Sequence, residues 1–283
     1  MHCGCSLLRR VDDMKVRLEG NHSAYHCGSA AVWRSMLRAV EEQGAEVTSG
    51  DDYDLLIVNG EGSMHHGGAT FCKKMELLRG ALEAGKRASL VNSVWQDNPP
   101  DFDDVLSALD VVTVREVRSR NELFDRHKIE AQVRPDLCIF DEPARQSLSP
   151  TGERVATDFY VAPFGNFARM TGGPITELPY VDMKTMDWAT LLDQLAAGVT
   201  LVTGRHHGVY AACCARVPFI CTPGNTHKIE GLFESAGVTG LMRPTPAAAL
   251  AAAEDAHERY AEAYGRLHAW LDGFSLSDAV TVR

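Results

Sequence analysis

The sequence predicts an α/β protein of two Rossmann-like domains facing one another across a cleft. Three observations point there. From Met14 onward, short apolar runs alternate with amphipathic stretches in a regular βαβα order, the pattern of a parallel, doubly wound sheet. The run 54–59 (DLLIVN) is continuously apolar rather than alternating, as in a strand buried on both faces, and the stretch from Val199 reads as a second short buried strand. A polar stretch without periodicity, 141–153 (DEPARQSLSPTGE), breaks the alternation near mid-chain and reads as a linker. Residues 1–13 then read as a disordered extension, 14–145 as the first domain and 146–245 as the second. Residues 246–283 form a C-terminal helical segment able to cross back to the first domain.

Residues 14–20 (MKVRLEG) alternate apolar and polar and predict a strand. The loop 21–28 leads to a helix over 29–43, stopped at Gly44. This unit lacks the GxGxxG pattern, so no dinucleotide site is assigned. After the strand at 54–59 come a glycine-rich loop at 60–68, a helix at 69–84 and a strand at 87–92. The spacing next predicts a helix over 101–109, a strand at 111–114, a loop and helix from Arg115 to Asp125, and a strand at 131–133. Beyond the linker, strands are expected at 157–162 and 178–183, around a loop at 163–174, with a helix at 186–197. Residues 199–232 read as a buried strand, a turn carrying Arg205, His206 and His207, a helix of small residues, a second strand and a second polar turn. A helix over 228–236 follows, and 246–271 reads as one long alanine-rich helix.

Composition narrows the function. Hydrophobic residues make up 45% of the 283, enough for a sizeable core. No apolar run reaches the roughly 18 residues a membrane span needs, and the N-terminus has no secretory pattern. A cytoplasmic protein is expected, with at most peripheral contact at the inner membrane face. The eight cysteines fall mostly in apolar segments, where a thiol acts as a small hydrophobe, and this is cytosolic usage. His2, Cys3 and Cys5 could bind a metal, but the tail reading is preferred and no metal site is assigned. A net charge of −10 argues against nucleic acid as a partner. Any anionic ligand then needs a local cationic pocket.

The strand-end turns supply one. Arg205 offers a planar fork for carboxylate or phosphate, and His207 can donate a hydrogen bond or move a proton near neutral pH. Lys228 is a point charge suited to phosphate, with Asn225 beside it. In the first domain, Gly60 and Gly62 allow close backbone approach, next to Ser63. Glu61 is the carboxylate of that loop and a candidate acid or base, with His65 and His66 as further proton carriers. Arg115 ends a strand with Ser119 one helical turn later, while Arg118 is expected to face solvent. Asp136 could orient Arg115, and His26 is a weaker candidate.

These residues resemble the polysaccharide pyruvyl transferase family. The matching stretches are VNGEGSMHHG, VTVREVRS, RPDLCIF and GRHHGVYAACCARVPFICTPGNTHKIEGL. Arg205, His207 and Lys228 match the Arg, His and Lys of the family's pattern, whereas His206 stands where that family usually has leucine. The resemblance implies a glycosyltransferase-B-like fold with the site in the interdomain cleft. It also implies transfer of pyruvate from phosphoenolpyruvate to two hydroxyls of a sugar or glycan, a lipid-linked one included. Catalysis is expected from His207, Glu61 and His65. Donor contacts are expected from Arg205, His206, His207, Lys228, Asn225, Arg115, Gly62 and Ser63. Phosphoenolpyruvate is the co-substrate and no further cofactor is expected. Two other readings share these residues: a glycosyltransferase using a nucleotide-activated acidic sugar, and a non-catalytic anion- or sugar-binding relative.

Overall fold

A computed structural model describes residues 14–141 and 153–282. The expected extension at 1–13, and all of the expected linker but its two end residues, lie outside the described residues. The first sheet has six strands: β1 (Lys15–Glu19), β2 (Glu46–Thr48), β3 (Leu55–Glu61), β4 (Arg87–Ser93), β5 (Val111–Val114) and β6 (Gln132–Val133). Their order is β2-β1-β3-β4-β5-β6, and all pairings are parallel. The order reverses between β1 and β3, so the loops after these strands open a crevice at their C-terminal ends. All seven residues of β3 are buried. β1 buries only Val16 and Leu18, consistent with its alternating pattern. The edge strand β2 was not expected, because three half-polar residues carry no readable period.

Helix α1 (Cys27–Glu42) presents Ala31, Val32, Met36, Ala39 and Val40 to the core. It starts before the expected Ser29 because His26 caps it, its Nδ1 accepting from the Gly28 and Ser29 N–H groups. α2 (Ala69–Glu83), α3 (Asp103–Ala108) and α4 (Val117–Glu122) complete the first domain.

The second sheet is also parallel. β7 (Arg154–Ala156), β10 (Thr200–Thr203) and β11 (Phe219–Cys221) run in the order β11-β10-β7. Single parallel bridges at Tyr180 and Met242 extend its two edges. Two expected strands are corrected. The one at 157–162 gives way to β7 just before it and to β8 (Phe159–Val161), which leaves the sheet and pairs antiparallel with β9 (Asn166–Ala168). Gly165, with φ +59°, makes the reversal possible. The one at 178–183 shrinks to the Tyr180 bridge, since Pro179 has no N–H to give a ladder.

Helices α5 (Trp188–Ala196), α6 (His206–Cys214) and α7 (Lys228–Ser235) follow. Every residue of α6 is buried. Gly208 lets it lie on β10, for a Cβ there would sit 2.3 Å from Thr203 Oγ1. The expected long helix is instead α8 (Pro246–Ala252), α9 (Ala256–Arg259) and α10 (Ala261–Asp272). Packing overrides alanine propensity here: the Tyr264 hydroxyl donates to Phe219 O at 2.6 Å and accepts from Phe219 N at 3.1 Å, drawing α10 onto β11. A last short helix, α11 (Leu276–Ala279), reaches the first domain. There Gln43 exchanges hydrogen bonds with Val280 and Val282 at 2.8 and 3.1 Å. Among the described residues, no helix is long and apolar enough to cross a membrane.

Candidate active site at the facing strand ends

The C-terminal ends of β1, β3, β5, β10 and β11 converge on one cavity of about 260 Å³. The β8–β9 hairpin adds Phe167 to its wall. Both domains contribute.

Arg205 caps the C-terminal end of β10. It is buried, and its Nε and Nη2 both donate to Asp158 Oδ2, at 3.0 and 2.5 Å. Its guanidinium lies 5.6 Å from the Tyr25 ring and 4.7 Å from the Phe167 ring, distances suited to cation–π attraction. The strongest cation of the sequence motif is therefore already paired with a carboxylate.

His207 is committed as well. His26 Nδ1 accepts the helix-cap bonds, so its neutral ring carries hydrogen on Nε2, which donates to His207 Nδ1 at 3.2 Å. His207 must then carry its hydrogen on Nε2, directed at Asp136 Oδ2 at 3.2 Å. Burial pushes His26 down to about 2, with the neighbouring His207 and Arg205 adding to it. Burial works to raise the Asp136 carboxyl, but His207 and Arg115 outweigh it and hold the group well below the usual range. Gly28 makes this contact possible, since a Cβ there would lie 2.6 Å from the His207 ring.

Arg115 is 1% exposed. Its Nη1 donates to Asp136, while Nε and Nη2 are buried with no hydrogen-bond partner among the described residues. Such donors are costly to leave unanswered. Lys228 stands nearby, its Nζ donating to Asn225 Oδ1 at 2.5 Å, with no carboxylate salt-bridge partner recorded among the described residues. Burial, and next the Arg115 charge, push it down to about 7. Gly62 joins the two: a Cβ built on it would lie 3.9 Å from Arg115 Nη2 and 3.9 Å from Lys228 Nζ. The space in front of Gly62 is thus flanked by two cations.

Glu61 lines the same cavity. It accepts from Ser29 Oγ at 2.5 Å and Asn59 Nδ2 at 3.2 Å, in a left-handed backbone conformation, φ +41°, that non-glycine residues seldom adopt. Lys74 steadies the turn from below. Its ammonium donates to Asn59 O at 2.6 Å, Gly60 O at 3.0 Å and Ser63 Oγ at 2.7 Å, and contacts His22 Nε2 at 2.9 Å. Burial pushes Lys74 down to about 8.

The structure thus brings Arg205, His206, His207, Lys228, Asn225, Arg115, Glu61, Gly62 and Ser63 to one cavity. His65 is the exception. It does not line the cavity; it pairs with Gln96 through a backbone bridge and meets the His66 ring edge-on at 4.9 Å. Ser119 is not a partner of Arg115: its hydroxyl receives the Trp95 N–H at 2.8 Å and contacts His227 of the second domain at 3.2 Å. Arg118, expected in solvent, spans the domains to Glu234 at 2.9 and 2.5 Å. Sequence reasoning missed His22, Lys74, Tyr25, Asp158 and Phe167. Only Lys74 left a signal, a charge on the face of α2 that also holds Phe71, Met75 and Leu78.

Asp136, Cys138 and His207 place their ligand atoms within 4.8 Å of one another. This trio does not suit a metal ion, because the Arg115 guanidinium already neutralises the Asp136 carboxylate and burial pushes the Cys138 thiol well up, away from the thiolate a metal needs.

No protein-family model and no curated protein matches the sequence. Solved structures do. An uncharacterized protein from Klebsiella pneumoniae superposes with a TM-score of 0.54 over 80% of this chain and 88% of its own, at 15% identity. A glycotransferase of kitacinnamycin gives 0.47 over 92% and 95%, at 13% identity. An alpha-glucosyltransferase solved with UDP and DNA gives 0.47 over 94% and 96%, at 9% identity. At such identities the likeness is one of fold alone, and it agrees with the topology of two parallel-sheet α/β domains facing a cleft.

Proposed function

We propose that this protein is a transferase that binds phosphoenolpyruvate in the cleft and moves its pyruvyl group to two hydroxyls of a sugar or glycan, closing a ketal. The observation that carries this reading is the pair Arg115 and Lys228, two buried cations with unanswered charge or donors on either side of Gly62. Phosphoenolpyruvate brings a carboxylate and a phosphate within three carbons and can meet both. The size of the site supports the same choice. A cavity of about 260 Å³ lies below the ~300–1,000 Å³ usual for larger ligands and suits a three-carbon phosphate better than a nucleotide sugar.

The residues fit the reaction. Fixed cations held by Asp136 and Asn225 stabilise the donor's charge without reorganising. Glu61 takes the proton of the attacking hydroxyl in this reading, which is supported by its position in the cavity lining and by Lys74 and Ser29, which hold its loop and its carboxylate. Of the two hydroxyl hydrogens, one ends on the donor's methylene carbon, making a methyl group, and the other leaves with phosphate.

A second reading, glycosyl transfer from a nucleotide-activated sugar, is favoured by the layout of two facing sheets. Thermal shift with phosphoenolpyruvate, UDP-glucose and GDP-mannose separates the two, followed by phosphate release with diol sugars. Stabilisation by sugar nucleotides alone would sink the pyruvyl reading. With the right donor, Glu61→Gln should keep donor affinity and lower turnover by about 10²–10⁴-fold.

A further inference from the structure

Four histidine rings line the cavity, and they differ in what their nitrogens do. His26 and His207 are bonded to one another, with their outer nitrogens taken by the α1 cap and Asp136. His22 Nε2 is held by Lys74. His206 is different. It is 3% exposed, lines the cavity, and neither ring nitrogen has a hydrogen-bond partner among the described residues. Its Nδ1 lies 3.7 Å from Asp136 Oδ2, beyond hydrogen-bonding distance. The ring is fixed by packing, 4.9 Å from Tyr210 and 5.6 Å from His207. A polar ring this rigid and this unanswered is explained by a ligand that completes it.

We propose that His206, rather than His207, contacts the donor and delivers the proton to its methylene carbon. The step rests on the phosphoenolpyruvate reading. The imidazolium N–H bond breaks and its proton forms a C–H bond with the electron pair of the carbon–carbon double bond. Positive charge appears on the central carbon, and the acceptor hydroxyl closes on that carbon while its proton passes to Glu61. In the second half, the carbon–oxygen bond to phosphate breaks with its electron pair going to phosphate. The second hydroxyl bonds the same carbon, and its proton leaves on phosphate. Glu61 returns its proton to His206 through the cleft, so neither residue is consumed.

The charged and titratable groups around the ring fit a transient acid. Burial most of all, then Arg115, His207 and Lys228, disfavour the imidazolium, so an imidazolium there gives up its proton readily. Asp136 and an incoming dianion favour it, so the ring charges when the donor arrives. His207 and Tyr210 fix its orientation. His207 and Asp136 are thus positioning residues.

The test uses His206→Gln, which keeps a donor N–H but cannot cycle a proton, and His206→Leu, which keeps the apolar bulk. Calorimetry measures phosphoenolpyruvate affinity, and NMR in D₂O follows deuterium entering the donor's methyl product with a diol acceptor. The His206 ring signal, identified by its loss in either variant, is titrated in the wild-type protein with and without inorganic phosphate. Expected are affinity in His206→Gln within about threefold of wild type, deuterium incorporation lower by about a hundredfold or more, and a ring signal whose titration moves to higher pH with phosphate. Unchanged incorporation in a folded His206→Gln protein, or a ring signal indifferent to phosphate, would overturn this step alone. Failure of the wild-type protein to bind phosphoenolpyruvate would overturn the donor reading and the step with it.

Discussion

Arg205 and Arg115 approach the same cavity from opposite domains and are in opposite states. Arg205 gives two nitrogens to Asp158 and lies against the Tyr25 and Phe167 rings. Arg115 gives one nitrogen to Asp136 and keeps two buried donors without a partner among the described residues. Sequence reasoning ranks them the other way, because Arg205 sits in the more conspicuous motif. A motif reports that a residue type reaches a site. Whether its charge is available depends on partners from elsewhere in the chain, here Asp158, 47 positions earlier.

Paired substitutions, which leave no carboxylate buried and alone, separate the two arginines most sharply. Losing Arg115 or Arg205 singly should destabilise the fold by about 3–5 kcal/mol through the stranded aspartate. In Arg115→Leu/Asp136→Asn that penalty is largely removed, yet phosphoenolpyruvate affinity should still fall by a hundredfold or more, about 3 kcal/mol. Arg205→Leu/Asp158→Asn should stay within about tenfold of wild type, near 1.4 kcal/mol. Calorimetry on both, beside their melting temperatures, decides; the reverse ranking would restore Arg205 as the principal anion contact.

Gly62→Ala is next in size. Its Cβ meets both cations at ordinary contact distance, 3.9 Å, so the melting temperature should not move. The methyl group would occupy ligand space, and donor affinity should drop by about 1–3 kcal/mol. A large fall in melting temperature would mean that Gly62 serves the backbone, not the ligand.

Lys228 gives a smaller, pH-dependent effect. Held at about 7 by burial and Arg115, it is charged below that pH and neutral above it. An anion beside it favours the charged form. Donor affinity should therefore be insensitive to this group below about pH 7 and weaken by up to about tenfold per pH unit above it, until the raised value in the complex is reached. Calorimetric titrations across pH 6–9 should show this fall, and Lys228→Met should flatten it. His65→Ala should do least, changing donor affinity by less than about threefold, because the ring stands outside the cavity wall.

Much of this molecule is legible from local patterns. The continuous run of β3, the strand–turn–helix of residues 200–214 and the glycine loop after β3 are encoded by neighbouring residues, and the structure contains all of them. What escaped depends on distant partners. His22 reads as one polar residue in a polar loop until Lys74, 52 positions later, is brought against it. The β8–β9 hairpin is hidden because its strands have three residues each, too few for a period. The break between α8 and α10 follows from Tyr264 reaching Phe219, 45 positions away, against a composition that favours an unbroken helix. His207 and His206 show the same limit within one turn: adjacent and chemically identical, they are separated only by what each ring meets.

The central claim is that a small phosphorylated carboxylate sits between Arg115 and Lys228, in front of Gly62. A crystal of the protein soaked with phosphoenolpyruvate tests it directly. The expected ligand has anionic oxygens within hydrogen-bond distance of Arg115 Nη2 and Lys228 Nζ, with the His206 ring against it. A ligand bound elsewhere, with no anionic oxygen at Arg115 Nη2 or Lys228 Nζ, would contradict it.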